Sequence, residues 1–157
     1  ARPPTTEEYR ALCTAVGWQE VMNLAAAEAA LRHGLHAVVV ERDGRAIGMG
    51  RVVGDGAIYF YVQDVVVEPA HQGRGVGARI VAALVDWVRA HAPDRAFLGV
   101  FAAAGTEGFY RRHGFERQGG LTGMFQVVRT GEANAGPHPG VKSCTPARPM
   151  RSRGACS

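Results

Sequence analysis

The sequence predicts an α/β (α+β) fold, a mixed and mostly antiparallel central sheet flanked by helices. Three observations predict it. Three alternating or apolar stretches between residues 35 and 67 are separated by the turn signals Asp43-Gly44 and Gly54-Asp55-Gly56, which is the pattern of an antiparallel meander. A glycine-rich loop at residues 72–77 leads into an amphipathic segment. The apolar stretch 96–101 follows that segment, so it should lie parallel to the strand before the loop.

The elements follow in order. Thr5-Thr6-Glu7-Glu8 reads as a helix start, a hydroxyl cap followed by carboxylates that suit the positive end of a helix. That helix runs to about Val16, and Gly17 ends it. Residues 19–33, rich in alanine, read as a second helix stopped by Gly34. Strands are expected at 35–41, 46–53 and 57–67. From Val76 to about His91, Val76, Ile80, Leu84 and Val88 recur every fourth residue, with Val81, Val85 and Trp87 widening the stripe. Pro93-Asp94 stops that helix. After the strand at 96–101, Thr106 can cap a short helix over 107–113, which Gly114 ends. Two last strands are expected at 115–118 and 123–128.

The chain has 157 residues, 46% hydrophobic and 20% charged, enough to bury a core and too apolar for a disordered chain. We read residues 1–129 as one domain and 130–157 as a disordered tail. The tail holds four of the eight prolines and no aromatic residue. The net charge of +4 invites a nucleic-acid reading, but Lys142, Arg148, Arg151 and Arg153 face Glu132 alone, so most of the excess lies in the tail. Without aromatics for base stacking, no nucleic-acid partner is expected. No apolar run approaches the length of a membrane span, and Ala1-Arg2-Pro3-Pro4 carries no apolar leader. Three cysteines with no CxxC pair point to a reducing cytoplasm.

The loop Gln72-Gly73-Arg74-Gly75-Val76-Gly77 exposes backbone N–H groups beside a helix N-terminus, which suits a phosphate or pyrophosphate. It lacks the Gly-Lys-Ser/Thr of a Walker A loop. It matches a dinucleotide fingerprint literally, but the strand that should carry the ribose-binding acid reads Phe97-Leu98-Gly99-Val100-Phe101. A coenzyme A pyrophosphate loop fits the whole order of elements.

These residues match the Q/R-x-x-G-x-G/A motif of the GNAT superfamily of N-acetyltransferases. Phe109-Tyr110-Arg111-Arg112-His113-Gly114-Phe115 resembles that superfamily's short helix carrying a tyrosine and ending in Gly-Phe. The resemblance covers roughly residues 5–128. It implies that two neighbouring parallel strands, the family's fourth and fifth, splay apart to admit the pantetheine arm of acetyl-CoA. Carried over, these are residues 64–67 and 97–101. Backbone groups of Val65, Val66 and Val67 would bind the arm like an added strand. The N–H groups from Gln72 through Gly77 would hold the pyrophosphate, with Arg74 adding charge.

The implied chemistry is attack of a neutral amine on the thioester, by direct transfer with both substrates bound. Tyr110 is the expected proton donor to the leaving thiolate, since a phenol stays protonated at neutral pH. Asp64, an ionisable group in an apolar strand, is the expected base or ligand of the substrate ammonium, or else a structural carboxylate. Strand alternation would put Tyr61, Gln63 and Val65 on the face opposite Asp64. Tyr61 and Gln63 are substrate-pocket candidates, and Trp18, between the first two helices, could roof that pocket. Cys13 lies far from both motifs, which argues against a covalent acetyl-cysteine. His33 and His36 have no partners suggesting a metal, and no metal is expected. The family's asparagine before the tyrosine is absent from Ala102-Ala103-Ala104-Gly105-Thr106-Glu107, where either Thr106 or backbone and water would take its place. The family's opening strand has only Ala1–Pro4 in which to form. A small-molecule amine is the expected acceptor. A protein or peptide acceptor and a non-catalytic acyl-CoA binding module are the alternatives, and a homodimer is left open.

Overall fold

The computed structural model describes residues 2–124 and 126–128. Residues 2–123 form one compact unit. Of the second unit, which begins at Met124, the described residues 124 and 126–128 are exposed and carry no regular structure. The expected tail at 130–157 lies outside the described residues.

Helix α1, Thr6–Ala15, opens on a capping box. The Thr5 hydroxyl accepts from the Glu8 N–H at 3.1 Å, and the Glu8 carboxylate accepts from the Thr5 N–H at 2.7 Å. Arg2 also bonds Glu8, at 2.7 Å, and holds its carboxyl far below the usual range, at about 2. The expected second helix is broken instead. Short 3₁₀ turns at Trp18–Glu20 and Leu24–Ala26 precede helix α2, Ala27–Arg32. Asn23 explains the interruption, because its side chain accepts from the Ala25 N–H and restarts the chain direction.

Strands β1 (His36–Arg42), β2 (Arg45–Gly54) and β3 (Tyr59–Val67) form the expected meander. Asp43 and Gly44 both take positive φ, 51° and 74°, as the two-residue hairpin requires. Helix α3, Val76–His91, then crosses over, and β4, Phe97–Val100, lies parallel to β3. The sheet order is β1-β2-β3-β4. Helix α4 spans Glu107–Arg111. The strand expected at 115–118 does not form: Gly119-Gly120 follows at once, Gly120 has φ 83°, and the Leu121 N–H bonds back to the Gln118 carbonyl in a turn. The described residues of the strand expected at 123–128 are likewise irregular.

The sheet has two covered faces. Against α3 pack Val38, Val52, Phe60 and Val62, which meet Ile80, Leu84 and Val88. Against α1 pack Met49 and Val66, which meet Tyr9, Leu12 and Cys13. No described helix is long and apolar enough to cross a membrane.

Candidate active site

The pairing of β3 with β4 runs from Tyr59↔Phe97 to Val62↔Val100 and stops there, because β4 ends. Strand β3 continues to Val67 with a partner on the β2 side only. The two parallel strands therefore part at Val62 and Val100. A cavity of about 870 Å³ opens at that point, lined by both of these valines.

The loop forms the cavity's far wall. Strand β3 leads through a 3₁₀ turn, Pro69–His71, into Gln72, whose side-chain amide donates to the Val67 carbonyl at 2.9 Å and ties loop to strand. Gly73 and Gly75 take φ values of 71° and 80°, and a Cβ on either would meet nothing within 4 Å. The glycines are thus required by the backbone turn, and the space beside them is open. Gly75 is the N-cap of α3 and provides no side-chain hydrogen bond, so the first N–H groups of a 16-residue helix have no side-chain cap. Gly73, Gly75, Gly77 and Ala78 line the cavity. Bare backbone, an uncapped helix end and room at the glycines suit a pyrophosphate.

Thr106 and α4 close the same cavity. The Thr106 hydroxyl donates to the Ala103 carbonyl at 2.7 Å, ordering the turn before α4. Phe109, from α4, stands over Gly77, where a Cβ would lie 3.7 Å from its ring. Tyr110 meets Phe109 edge-on at 5.0 Å and Phe115 at 5.8 Å, and burial raises its phenol above the ordinary value. Arg112 lines the cavity and lies 5.9 Å from the Phe109 ring centroid. At the other end the walls are Trp18, Val21, Met22, Gln63, Asp64 and Phe101.

Asp64 has partners that the sequence did not reveal. Its Oδ2 accepts from the Tyr9 hydroxyl and from Nε and Nη2 of Arg51, each at 2.7 Å. The Arg51 Nη1 donates to the Ala30 carbonyl in α2 at 2.6 Å. Both charged side chains are only 9% exposed, and the guanidinium lies over the Tyr9 ring. Asp64 also has φ 53°, a left-handed conformation that costs a non-glycine residue about 1–2 kcal/mol.

That conformation marks a β-bulge. Met49 pairs with Val66 and Arg51 with Gln63, so Gly50 alone faces Asp64 and Val65. The expected alternation is therefore corrected. Before the bulge Phe60 and Val62 face α3; after it Val65 and Val67 do, while Val66 faces α1. Gln63, opposite Arg51, shares a face with Asp64 instead of opposing it.

Of the residues singled out from sequence, Tyr110, Asp64, Val65, Val67, Gln72, Gly73, Gly75, Gly77, Gln63 and Trp18 line the cavity. Val66, Arg74, Val76 and Tyr61 are not among its lining residues. Val66 is buried against α1 and Val76 packs on the core. Tyr61 lies on Gly99, where a Cβ would come within 2.9 Å of its ring, and stacks on Phe101 at 6.3 Å. Sequence reasoning missed Phe109, Phe101, Val21 and Met22 as lining residues, and Arg51 and Tyr9 as partners of Asp64. A signal for the last existed: Arg51 and Asp64 are the lone charges inside otherwise apolar strands. His36 proved to stack on Trp87 at 4.7 Å. Among the described residues no group of three His, Cys, Asp or Glu is placed to hold a metal ion.

A parallel pair that parts over a cavity, with an uncapped glycine loop beside it, defines an acyl-CoA-dependent transferase fold. The family model of the acetyltransferase (GNAT) family matches residues 4–115, and the chain belongs to that family of N-acetyltransferases. It is 32% identical over 129 residues to a Glycine max protein named Histone acetyltransferase TAP1, covering 75% of this chain and 55% of that protein. The chain thus spans about half the length of that curated relative. Among solved structures it is similar to protein SA2161 of Staphylococcus aureus, with a TM-score of 0.72, 28% identity, and 80% and 94% of the two chains covered. It is also similar to Rv2747 from Mycobacterium tuberculosis, solved in complex with CoA, with a TM-score of 0.58, 25% identity, and 78% and 75% covered.

Proposed function

We propose that the chain transfers the acetyl group of acetyl-CoA to the primary amine of a small molecule, directly, with both substrates bound. One observation carries the reading: the uncapped glycine loop and the half-buried Tyr110 phenol line a single cavity at the point where β3 and β4 part. When bound, acetyl-CoA supplies a thioester whose carbonyl carbon the neutral amine attacks and whose thiolate leaves.

The chain's residues then have these roles. Backbone N–H groups from Gly73 to Gly77 hold the pyrophosphate, with Arg112 adding positive charge from the cavity wall; the Gln72 N–H, expected among them, is given to the Pro69 carbonyl instead. The free side of β3, from Val65 to Val67, holds the pantetheine arm. Tyr110 donates its proton to the departing sulfur, and its raised pKa keeps the phenol protonated at working pH. Asp64 Oδ2 is occupied by three donors, so we assign this carboxylate to holding the strand and the amine's proton to water in the cavity. Trp18, Met22 and Gln63 wall the acceptor end. Cys13 is fully buried and does not line the cavity, which supports direct transfer over an acetyl-cysteine.

The experiment is to supply acetyl-CoA with a panel of small amines and lysine peptides and to follow free thiol. Small amines are expected to release thiol faster than peptides, and Tyr110→Phe to lower kcat about 100-fold with little change in CoA affinity. Faster release with peptides would favour the second reading, a protein acceptor, which the soybean relative's name supports. Tight CoA binding with no thiol release would leave a binding module.

A further inference from the structure

We propose that Arg51 and Tyr9 are positioning residues for cofactor binding: through Asp64 they hold the β3 bulge in the register that decides which backbone groups of residues 65–67 face the acetyl-CoA arm on the strand's free edge. This rests on the reading of β3 as the strand that binds the arm.

The bulge matters because of the period of a strand. Successive residues turn their N–H and C=O groups to opposite edges, and their side chains to opposite faces. One inserted residue reverses both assignments for everything that follows. In this chain the insertion falls at Asp64, immediately before the stretch that parts from β4. It therefore decides which amides of residues 65–67 face the cavity, and it brings Val65 and Val67 onto the α3 face.

The bulge is not favoured by Asp64's own backbone, which is left-handed. The three hydrogen bonds to Oδ2 hold it there. All three donors come from side chains nine-tenths buried or nearly so. Arg51 is 7% exposed and Tyr9 is 2% exposed. The guanidinium reaches further, to the Ala30 carbonyl of α2. One cation thus joins β2, the bulge and α2, and Tyr9 joins α1. A hydrophobic pair of similar volume could fill this space, but it could not fix a carboxylate's position to within a hydrogen bond. The guanidinium fork supplies a geometry that an ammonium does not.

The test measures CoA affinity of the full chain by titration calorimetry, together with amide hydrogen exchange. Arg51→Lys keeps the charge and loses the fork. It is expected to raise the Kd for CoA about tenfold, as a misplaced binding strand should. Tyr9→Phe removes one hydrogen bond and leaves no buried charge unpaired; it is expected to raise Kd about threefold. Exchange at the amides of 63–67 should quicken in both, while α3 keeps its protection. In acetyl transfer, kcat/KM for acetyl-CoA should fall further than kcat at saturation.

Should Arg51→Lys fail to fold, Tyr9→Phe carries the test alone. Folded variants with wild-type Kd and wild-type exchange at 63–67 overturn the proposal. So does Asp64→Asn if it lowers kcat about 100-fold and leaves the Kd for CoA unchanged, because Asp64 is then the base. A wild-type chain that binds no CoA overturns the reading of the site itself, and this proposal with it.

Discussion

Against α3 the sheet presents Val38, Val52, Phe60 and Val62, and the helix answers with Ile80, Leu84 and Val88. Against α1 the same strands present Met49 and Val66, but also Arg51 and Asp64, closed by the Tyr9 hydroxyl. The first face is dry, and its fit is one of shape. A Cβ at Gly50 would come within 2.6 Å of Ile80 and 2.9 Å of Leu84, so α3 lies as close to β2 as a glycine allows. The second face is built on directed bonds. Apolar packing tolerates many rearrangements at similar energy, whereas a fork of hydrogen bonds tolerates few. The face that specifies one backbone register is the one beside the cavity, at the strand whose free edge we assign to the cofactor.

The comparison breaks most sharply at Arg51. Arg51→Met leaves the Asp64 carboxylate buried without its cation, and should cost about 4 kcal/mol, as removal of one partner from a buried ion pair does. Adding Asp64→Asn to that variant removes the stranded charge and should return part of the loss, so the two substitutions are not additive. Urea unfolding of the two single variants and the double variant measures the coupling. An additive result would mean that the second face is held by packing, like the first.

On the dry face the corresponding change is Leu84→Ala. Leu84 is fully buried, and truncation should cost about 3 kcal/mol through lost transfer energy and a residual cavity. Here a volume-conserving Leu84→Met should recover most of the stability in urea, because shape and apolar area are what the face requires. Arg51→Met keeps the flexible stem but is two atoms shorter and loses the fork, so it is the stability returned on adding Asp64→Asn, set against the success of Leu84→Met, that separates directed bonds from volume.

The two faces also differed in how far the sequence revealed them. The fourfold recurrence of Val76, Ile80, Leu84 and Val88 reports a helix stripe directly, because burial selects on a fixed period. The Asp-Gly hairpin and the glycine loop were legible for a similar reason, since a positive φ limits the residue type. The cavity's glycine wall and Tyr110 were found through those motifs. The bulge was not. It is a two-against-one pairing between distant strands, and the faint local sign is that aspartate tolerates the left-handed region. Assuming strict alternation therefore grouped Gln63 with Val65 across from Asp64, whereas the bulge leaves Val65 across the sheet and brings Gln63 onto the face of Asp64. The second helix failed for another reason: alanine content promised a helix, and one asparagine bonding its own neighbouring backbone overrode it. The last two strands were read from apolar residues, but a strand needs a ladder, and the glycine pair turns the chain instead.

Cys13 offers the finest division between the faces, because it packs on the polar one without bonding to the ion pair. Burial, and then the charge of Asp64, push its thiol from 9.0 up to about 11. Tyr9 beside it is raised too, by burial first and Asp64 second. The sign follows from the folded state holding the proton more tightly than the unfolded one. The stability this gives is fully present below pH 9, and is lost as pH rises from 9 toward 11, where the unfolded thiol ionises and the folded one does not. A difference of this size corresponds to a loss on the order of 2 kcal/mol by pH 11. Cys13→Ala should therefore be somewhat less stable at pH 7, through lost packing, and should have a flatter stability profile between pH 9 and 11. Urea midpoints at pH 7, 9 and 11 measure both effects. Tyr9→Phe should flatten only the part above pH 10, where an unfolded phenol begins to ionise. Leu84→Ala, on the dry face, should shift the whole profile down and leave its shape unchanged. A profile that changes shape equally in all three would mean that the alkaline sensitivity belongs to the whole core and not to the face that carries the charge.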